Sequence, residues 1–174
     1  MALITFQDLP NTTTPLNATN LNNNFNYLNT RASITLTEGA DGTGTSAFGT
    51  VACPTESQFA SVEGNFTRDG NAVKVVSGVS LVRVSGVVCG QFTNNSTTTD
   101  YEVGARIIKN GTAQNVVPRL TIKKGETQYV TIPITPYITS ATANDLFQIG
   151  IYSSTGNVTK TPKTGTYICV EQVK

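Results

Sequence analysis

Short β-prone runs separated by turn residues fill most of this chain and limit what it can fold into. From about Val51 to the end, runs rich in Val, Ile, Thr and Tyr alternate with clusters of Gly, Asn, Asp and Ser. This spacing is typical of a β-sandwich or barrel. The aromatic content of 7% and the charged content of 13% agree with a β protein that has many polar turns. The sequence therefore predicts an all-β head domain over residues 51–174.

The clearest strand begins at Tyr101. Apolar side chains recur at every second residue from Tyr101 to Ile107, while Glu102 and Arg106 fall on the opposite face. Asn110-Gly111 follows, which is the pair preferred in a type I′ hairpin turn.

The chain closes on a β-prone run from Thr166 to Val173. A terminal strand frays unless neighbours hold it, so we expect this one to be central and hydrogen-bonded on both sides.

The N-terminal part follows a different pattern. Leu21, Phe25 and Leu28 recur at helical spacing, with Asn17 as the N-cap. Five asparagines weaken this helix by roughly 3 kcal/mol, so it needs a surface to pack against. That surface is a partner, or the helix folds back onto its own domain. A Gly/Thr-rich stretch over residues 38–50 is then the linker between an anchor segment, residues 1–37, and the head.

Several classes of function lack support in the sequence. The formal net charge of +1 gives no electrostatic argument for nucleic acid or an anionic membrane. No apolar run reaches membrane-spanning length, and the N-terminus does not resemble a secretory signal. The three cysteines, Cys53, Cys89 and Cys169, are widely separated and are expected to be reduced thiols.

Catalytic chemistry also lacks its usual residues. The chain has no His, which removes the commonest general base and most zinc sites. Its acidic residues are scattered singly, which disfavours a carboxylate pair for glycoside cleavage. The Asp41-Gly42 and Asp69-Gly70 steps lack the alternating ligands of a calcium loop. We expect no enzyme activity, cofactor or metal.

Three stretches of the head resemble the tumour-necrosis-factor/C1q-like jelly roll. Tyr101 to Thr112 is similar to that family's central strand with its Lys-Asn-Gly-Thr turn, Asn144 to Tyr152 to its Gly-Asp strand, and Thr166 to Val173 to its closing strand. Asn144 departs from the family, which usually has Gly there. The resemblance implies a jelly-roll sandwich that assembles as a homotrimer.

A second resemblance lies near the N-terminus. The stretch from Thr14 to Asn22 is similar to a Thr-Pro-Leu-Asn-Ala-x-Asn-Leu-Asn motif found near the start of many tailed-phage appendage proteins, although Thr19 stands where those often carry Glu. This resemblance implies an anchor that docks on a capsid or tail protein. The residues expected to dock are Pro15, Leu16, Asn17, Asn20, Leu21, Phe25 and Leu28.

Together the two resemblances imply a non-enzymatic virion protein, a trimeric head fibre or capsid decoration that is made in the host cytoplasm. An outward row of Tyr101, Tyr152 and Tyr167 is one candidate for the trimer interface; the alternative places these tyrosines in the core or at its rim. Loops at the distal end are expected to contact a host-surface glycan weakly and multivalently. Their candidate contact residues are Thr93, Asn94, Asn95, Asp100, Ser154 and Asn157.

Three other interpretations stay open at this point. A tail or baseplate receptor-binding protein shares the same N-terminal motif but usually has a longer shaft. A bacterial C1q-like surface protein explains the jelly roll and leaves the motif to coincidence. An isolated glycan-degrading enzyme is the least supported.

Overall fold

Strands joined by turns and irregular loops make up the computed structural model, which describes residues 31–35, 43–44, 51–52, 58–61, 65–114, 119–154 and 156–173. None of these residues is helical. The strands are β1 (Arg31–Thr35), β2 (Thr43–Gly44), β3 (Val51–Ala52), β4 (Gln58–Ser61), β5 (Phe66–Asp69), β6 (Ala72–Val75), β7 (Leu81–Asn94), β8 (Tyr101–Lys109), β9 (Thr112–Ala113), β10 (Arg119–Ile122), β11 (Thr127–Ser140), β12 (Leu146–Ser153), β13 (Val158–Pro162) and β14 (Tyr167–Gln172).

Two antiparallel sheets face each other. The first sheet has the order β11-β7-β14-β1-β4, and β13 also pairs with the C-terminal part of β7, from Gly90 to Asn94. The second sheet has the order β10-β8-β12-β6-β5, with the short β9 paired to β8. Among the strands that the structure describes, the two-residue strands β2 and β3 pair only with each other.

The strand pairs are nested in the way that defines a jelly roll. β8 pairs with β10, β7 with β11, β6 with β12 and β1 with β14, so the two strands of each pair flank the previously named pair in the sequence. This is one long antiparallel hairpin rolled into two sheets, which leaves the first and last strands adjacent. The predicted all-β jelly-roll fold is confirmed.

The core lies between the sheets because buried side chains alternate along the long strands. On β7 the residues Val82, Val84, Val88 and Phe92 are buried, and the intervening side chains face outward. On β12 the buried face includes Phe147, Ile149 and Ile151. Each such side chain contributes about 1.5 to 3 kcal/mol when it leaves water, so this alternation holds the two sheets together.

The turn at Asn110-Gly111 has the predicted geometry. Lys109 pairs with Thr112, and both turn residues have positive φ, 50° at Asn110 and 78° at Gly111. Positive φ at both central positions defines a type I′ turn.

The closing strand is central, as predicted. β14 is hydrogen-bonded to β7 on one side and to β1 on the other.

One boundary differs from the sequence prediction. The sequence analysis places Thr93 and Asn94 in a loop at the distal end, but β7 continues to Asn94. The end of β7 is held on both sides, because Thr93 pairs with Thr127 of β11 and with Thr159 of β13. These partners are distant in sequence, and they outweigh the turn preference of Thr93-Asn94.

The N-terminal predictions fall largely outside the described residues. The expected helix and all seven docking residues lie before Arg31, the first residue that the structure describes. Residues 31–35, placed in the anchor segment by the sequence analysis, form β1 inside the first sheet. The division into residues 1–37, 38–50 and 51–174 stays a prediction. Because β1 pairs with β14 and β4, residues 31–35 belong to the sandwich and not to a separate anchor. Among the described residues, no helix has the length and apolar character needed to cross a membrane.

Candidate functional site

Three loops meet at one end of the sandwich, which we call the loop end. They are residues 95–100 between β7 and β8, residues 123–126 between β10 and β11, and the segment between β12 and β13. Backbone hydrogen bonds join them, since Asn94 N–H donates to Glu126 O at 2.9 Å and Asn95 N–H donates to Asn157 O at 2.9 Å. The loop end is therefore one continuous surface.

The buried side chain of Asn94 connects the parts of this surface by hydrogen bonds. It is 1% exposed, and its Nδ2 donates to the carbonyl oxygens of Thr99 at 2.9 Å and Ile122 at 3.0 Å. Its Oδ1 accepts the backbone N–H of Ser96 at 2.9 Å. One buried amide thus joins the loop 95–100 to the end of β10.

The loop 95–100 is also braced by its own side chains. Ser96 Oγ accepts the N–H groups of Thr98 at 3.2 Å and Thr99 at 3.0 Å. Asp100 accepts hydrogen bonds from Lys123 Nζ and from the backbone N–H of Lys124, both at 2.9 Å. The hydrogen bond from Lys123 is the main reason that the pKa of Asp100 lies below its ordinary value, and the same bond raises the pKa of Lys123.

The structure brings the predicted contact residues together but gives them different roles. Asn95 Nδ2 donates to Thr159 Oγ1 at 2.9 Å, and Asn157 Nδ2 donates to Tyr101 Oη at 3.3 Å. Ser154 Oγ accepts the N–H of Glu102 at 3.2 Å. Asn95, Asp100, Ser154 and Asn157 are exposed, and Thr93 is half-buried.

Asn94 itself was expected to contact the host, and its position rules out that role. A side chain that is 1% exposed and hydrogen-bonded to three backbone groups cannot reach a surface ligand. It positions the loop instead. Sequence reasoning missed this because a run of Asn, Ser and Thr looks uniformly like solvent-exposed loop.

The three tyrosines proposed as one interface row lie on three different surfaces. Tyr101 packs against the hydrophobic core from the inner face of the second sheet. Tyr152 lies on the outer face of that sheet, because Ile151 and Ser153 on either side of it face inward and are fully buried. Tyr167 lies on the outer face of the first sheet, since the next residue, Ile168, is buried. No single row contains all three.

Tyr152 has a distinct environment between two guanidinium groups. The Cζ atoms of Arg106 and Arg119 each lie 5.0 Å from the centroid of its ring. Arg119 also donates to Glu102 at 2.8 Å, whereas Arg106 is only 4% exposed, and this burial lowers the pKa of the Arg106 guanidinium. The arrangement stabilises the outer face of the second sheet. The alternation of β8 placed Arg106 on this face, but nothing in the sequence indicated its burial.

A second polar network lies at the opposite end, which we call the base. Asp145, 7% exposed, forms an ion pair with Lys109 at 3.0 Å and accepts hydrogen bonds from Asn110 Nδ2 at 2.7 Å and Thr142 N–H at 2.9 Å. Burial alone raises the pKa of this carboxyl, but the hydrogen bonds from Asn110 and Lys109 outweigh it and hold the pKa below its ordinary value.

The carboxylates in the described part of the chain serve as structural partners. Asp69, Asp100, Glu102, Asp145 and Glu171 each form an ion pair with a Lys or Arg, and Glu126 accepts a hydrogen bond from Gln128. The described residues contain no group of three or more His, Cys, Asp or Glu that could hold a metal ion. Cys89 and Cys169 are half-buried thiols.

The loop end and the start of the first sheet are far apart. Arg31, the first residue of β1, pairs with Glu171, which in turn pairs with Arg83 near the beginning of β7. The loop 95–100 leaves from the other end of β7, eleven residues further along, at Asn94. At about 3.3 Å per residue, that distance is roughly 36 Å. Arg31, the first described residue, therefore lies at the base of the sandwich.

These features define a jelly-roll module with a braced loop surface at one end and the N-terminal connection at the other. No protein-family model matches the chain, and no curated protein does. Among solved structures it is similar to pika GITRL, at 18% identity and a TM-score of 0.39, over 84% of this chain and 97% of that chain. It is also similar to murine APRIL at pH 5.0, at 11% identity and a TM-score of 0.46, over 83% of this chain and 99% of that one.

Proposed function

We propose that this chain is a non-enzymatic structural protein of a bacteriophage virion. In this proposal it is a trimeric head fibre or capsid decoration, made in the host cytoplasm, that is anchored by its N-terminus. The observation that carries the proposal is the separation of the two ends. Arg31, which follows the stretch with the phage-type docking motif in the sequence, lies at the base, and the braced loops lie about 36 Å away from it, as a surface-displayed knob requires.

The proposed trimer uses the middle of the outer face of the first sheet, around Val87 of β7. Val87 of β7 pairs with Pro133 of β11 on one side and with Tyr167 of β14 on the other, so the three side chains form one outward apolar row. Of the three tyrosines that the sequence analysis proposed for the trimer interface, this row includes Tyr167. It does not include Tyr101 or Tyr152, which face elsewhere. A homotrimer would cover the row in each copy.

Light scattering on the full chain tests the trimer. Val87→Glu places a charge in the row, and we expect the mass to fall from three chains to one. Val76→Glu is the matched control, because Val76 is 43% exposed and lies near the base, away from this face. A wild-type chain that is monomeric at micromolar concentration contradicts the trimer.

The proposed anchor is tested on particles. Leu21 and Phe25 are expected to pack on the partner as one helical face. The double change to Asp should remove the protein from particles and leave its oligomeric mass unchanged. Normal occupancy of the double variant on particles is incompatible with the anchor.

The loop end is proposed to contact the host surface. Asn95, Ser154 and Asn157 present exposed amide and hydroxyl groups, and the exposed charge of Asp100 is paired with Lys123. Such a surface suits a weak contact with a glycan that three copies strengthen by avidity.

A further inference from the structure

Tyr129 is the most exposed large hydrophobic side chain in the described residues. It lies on the outer face of β11, with 73% of its surface exposed, between the inward-facing neighbours Gln128 and Val130. In register, Tyr129 pairs with Gln91 of β7, and Gln91 pairs on its other side with Thr161 of β13. Directly opposed side chains lie about 5 Å apart, so the three form one row across three strands.

The neighbouring rows add hydroxyl groups. Towards the loop end, Thr127, Thr93 and Thr159 form the next row, and the hydroxyls of Thr93 and Thr127 are 2.9 Å apart. Thr159 accepts a hydrogen bond from Asn95, which links these rows to the loop end.

Towards the base, Thr131 pairs with Cys89. The row of Tyr129, Gln91 and Thr161 carries no charged side chain. A charged residue next to it is Lys163, whose backbone N–H donates to the carbonyl oxygen of Cys89 at 2.7 Å. The ion pair between Arg83 and Glu171 lies further along the same face, near the base.

The combination of a tyrosine ring with amide and hydroxyl groups suits sugars as ligands. A tyrosine ring offers a rigid apolar surface, and the amide and hydroxyl groups around it donate and accept hydrogen bonds without charge. Sugars present an apolar C–H face and a rim of hydroxyls. A phosphate-bearing or carboxylate-bearing polymer would instead need Arg or Lys in the row of Tyr129 itself.

We propose that Tyr129, Gln91 and Thr161 form a binding site for an uncharged, hydroxyl-rich sugar, with the ring of Tyr129 stacking on it. The biological use of this site rests on the proposed function, but the binding itself does not. A second copy of the chain suits the rows less well, because the apolar row of Val87, Pro133 and Tyr167 lies four residues nearer the base.

Saturation-transfer NMR on the full chain tests the site directly. The probes are the neutral tetramers of glucose, N-acetylglucosamine, mannose and galactose, with tetragalacturonate as an anionic comparator. We expect transfer to at least one neutral tetramer, reduced about tenfold by Tyr129→Ala and kept by Tyr129→Phe. Ile138→Ala is the matched control, because Ile138 lies on the same strand and is 58% exposed; this variant should bind as the wild type does.

Each contrary result overturns the inference. These results are no transfer to any neutral tetramer, transfer that Tyr129→Ala leaves unchanged, or preferential transfer to tetragalacturonate. A fall in oligomeric mass for Tyr129→Ala would make the row a contact between copies. Failure of the proposed function has a different signature, absence of the protein from particles, and sugar binding in solution is independent of that result.

Discussion

At the scale of single residues, two buried polar side chains fix the two ends of the molecule. Asn94 satisfies two carbonyl oxygens and one N–H group beneath the loop end, and Asp145 joins Lys109, Asn110 and Thr142 at the base. Buried polar groups are costly unless they are hydrogen-bonded. Each network therefore stabilises its end of the sandwich. Removing one partner leaves buried polar groups without a hydrogen bond and lowers the stability of that end.

Removing the Asn94 side chain should loosen the loop end. Asn94→Ala leaves the carbonyl oxygens of Thr99 and Ile122 without this donor, and we expect a loss of about 3 kcal/mol in the free energy of unfolding. Asn94→Asp keeps the acceptor for Ser96 N–H but loses both donors, so it should also be destabilised. Asn95→Ala, at an exposed position, should change stability by less than about 1 kcal/mol in urea unfolding. Equal effects at positions 94 and 95 would contradict the role assigned to Asn94.

Asp145 should make stability depend on acid pH. Because its pKa is lowered in the folded state, its stabilising contribution is present above the ordinary carboxyl pKa of 3.8 and is lost as the pH falls through the folded-state value. Asp145→Asn should therefore lower stability at pH 7 and flatten the acid limb of a plot of melting temperature against pH. Asp69→Asn, in an ion pair where the Asp69 side chain is 53% exposed, should do neither. An acid limb that Asp145→Asn leaves unchanged would show that other groups control it.

At the scale of elements, β7 is the strand on which the sandwich depends. It pairs with β11 along one side and with β14 and β13 along the other. Close approach within the sandwich requires glycine at position 86, where an added Cβ would lie 2.5 Å from the backbone oxygen of Tyr167 and 3.3 Å from Ile149 Cδ1. The first of these atoms is backbone, so it cannot move aside cheaply.

Gly86→Ala should consequently cost about 3 kcal/mol, at the upper end of the range for overpacked cores. The matched control is Gly156→Ala, since an added Cβ at position 156 meets nothing within 4 Å. Thermal unfolding of both variants measures the difference. A Gly86→Ala variant as stable as the control would mean that β14 can shift away from β7.

Sequence patterns predicted the elements better than their ends. The strand from Tyr101 to Ile107 and the turn at Asn110-Gly111 could be predicted because each depends on residues that are neighbours in the sequence. The last part of β7 could not be predicted in this way, because Gly90 and Asn94 have low strand propensity and their partners on β11 and β13 are distant in sequence. Burial of Asn94 escaped prediction for the same reason.

At the scale of the whole molecule, the rolled hairpin places the N-terminal connection and the braced loops at opposite ends. Pro133 and Pro136 on β11 and the register shift between Ile134 and Tyr137 interrupt the hydrogen-bonding pattern of this edge strand, which disfavours the addition of another strand. Association through a sheet face is then the more favourable route, in agreement with the proposed trimer.

In the proposed function, the base faces a virion and the loop end faces outward. Gold-labelled antibody against the head domain, applied to intact particles of the source virus, tests it most directly. We expect label over the capsid, and loss of that label in particles made with the Leu21→Asp, Phe25→Asp chain. Label at the tail end would contradict the head-fibre assignment and favour a receptor-binding protein, and particles without label would contradict the virion role altogether.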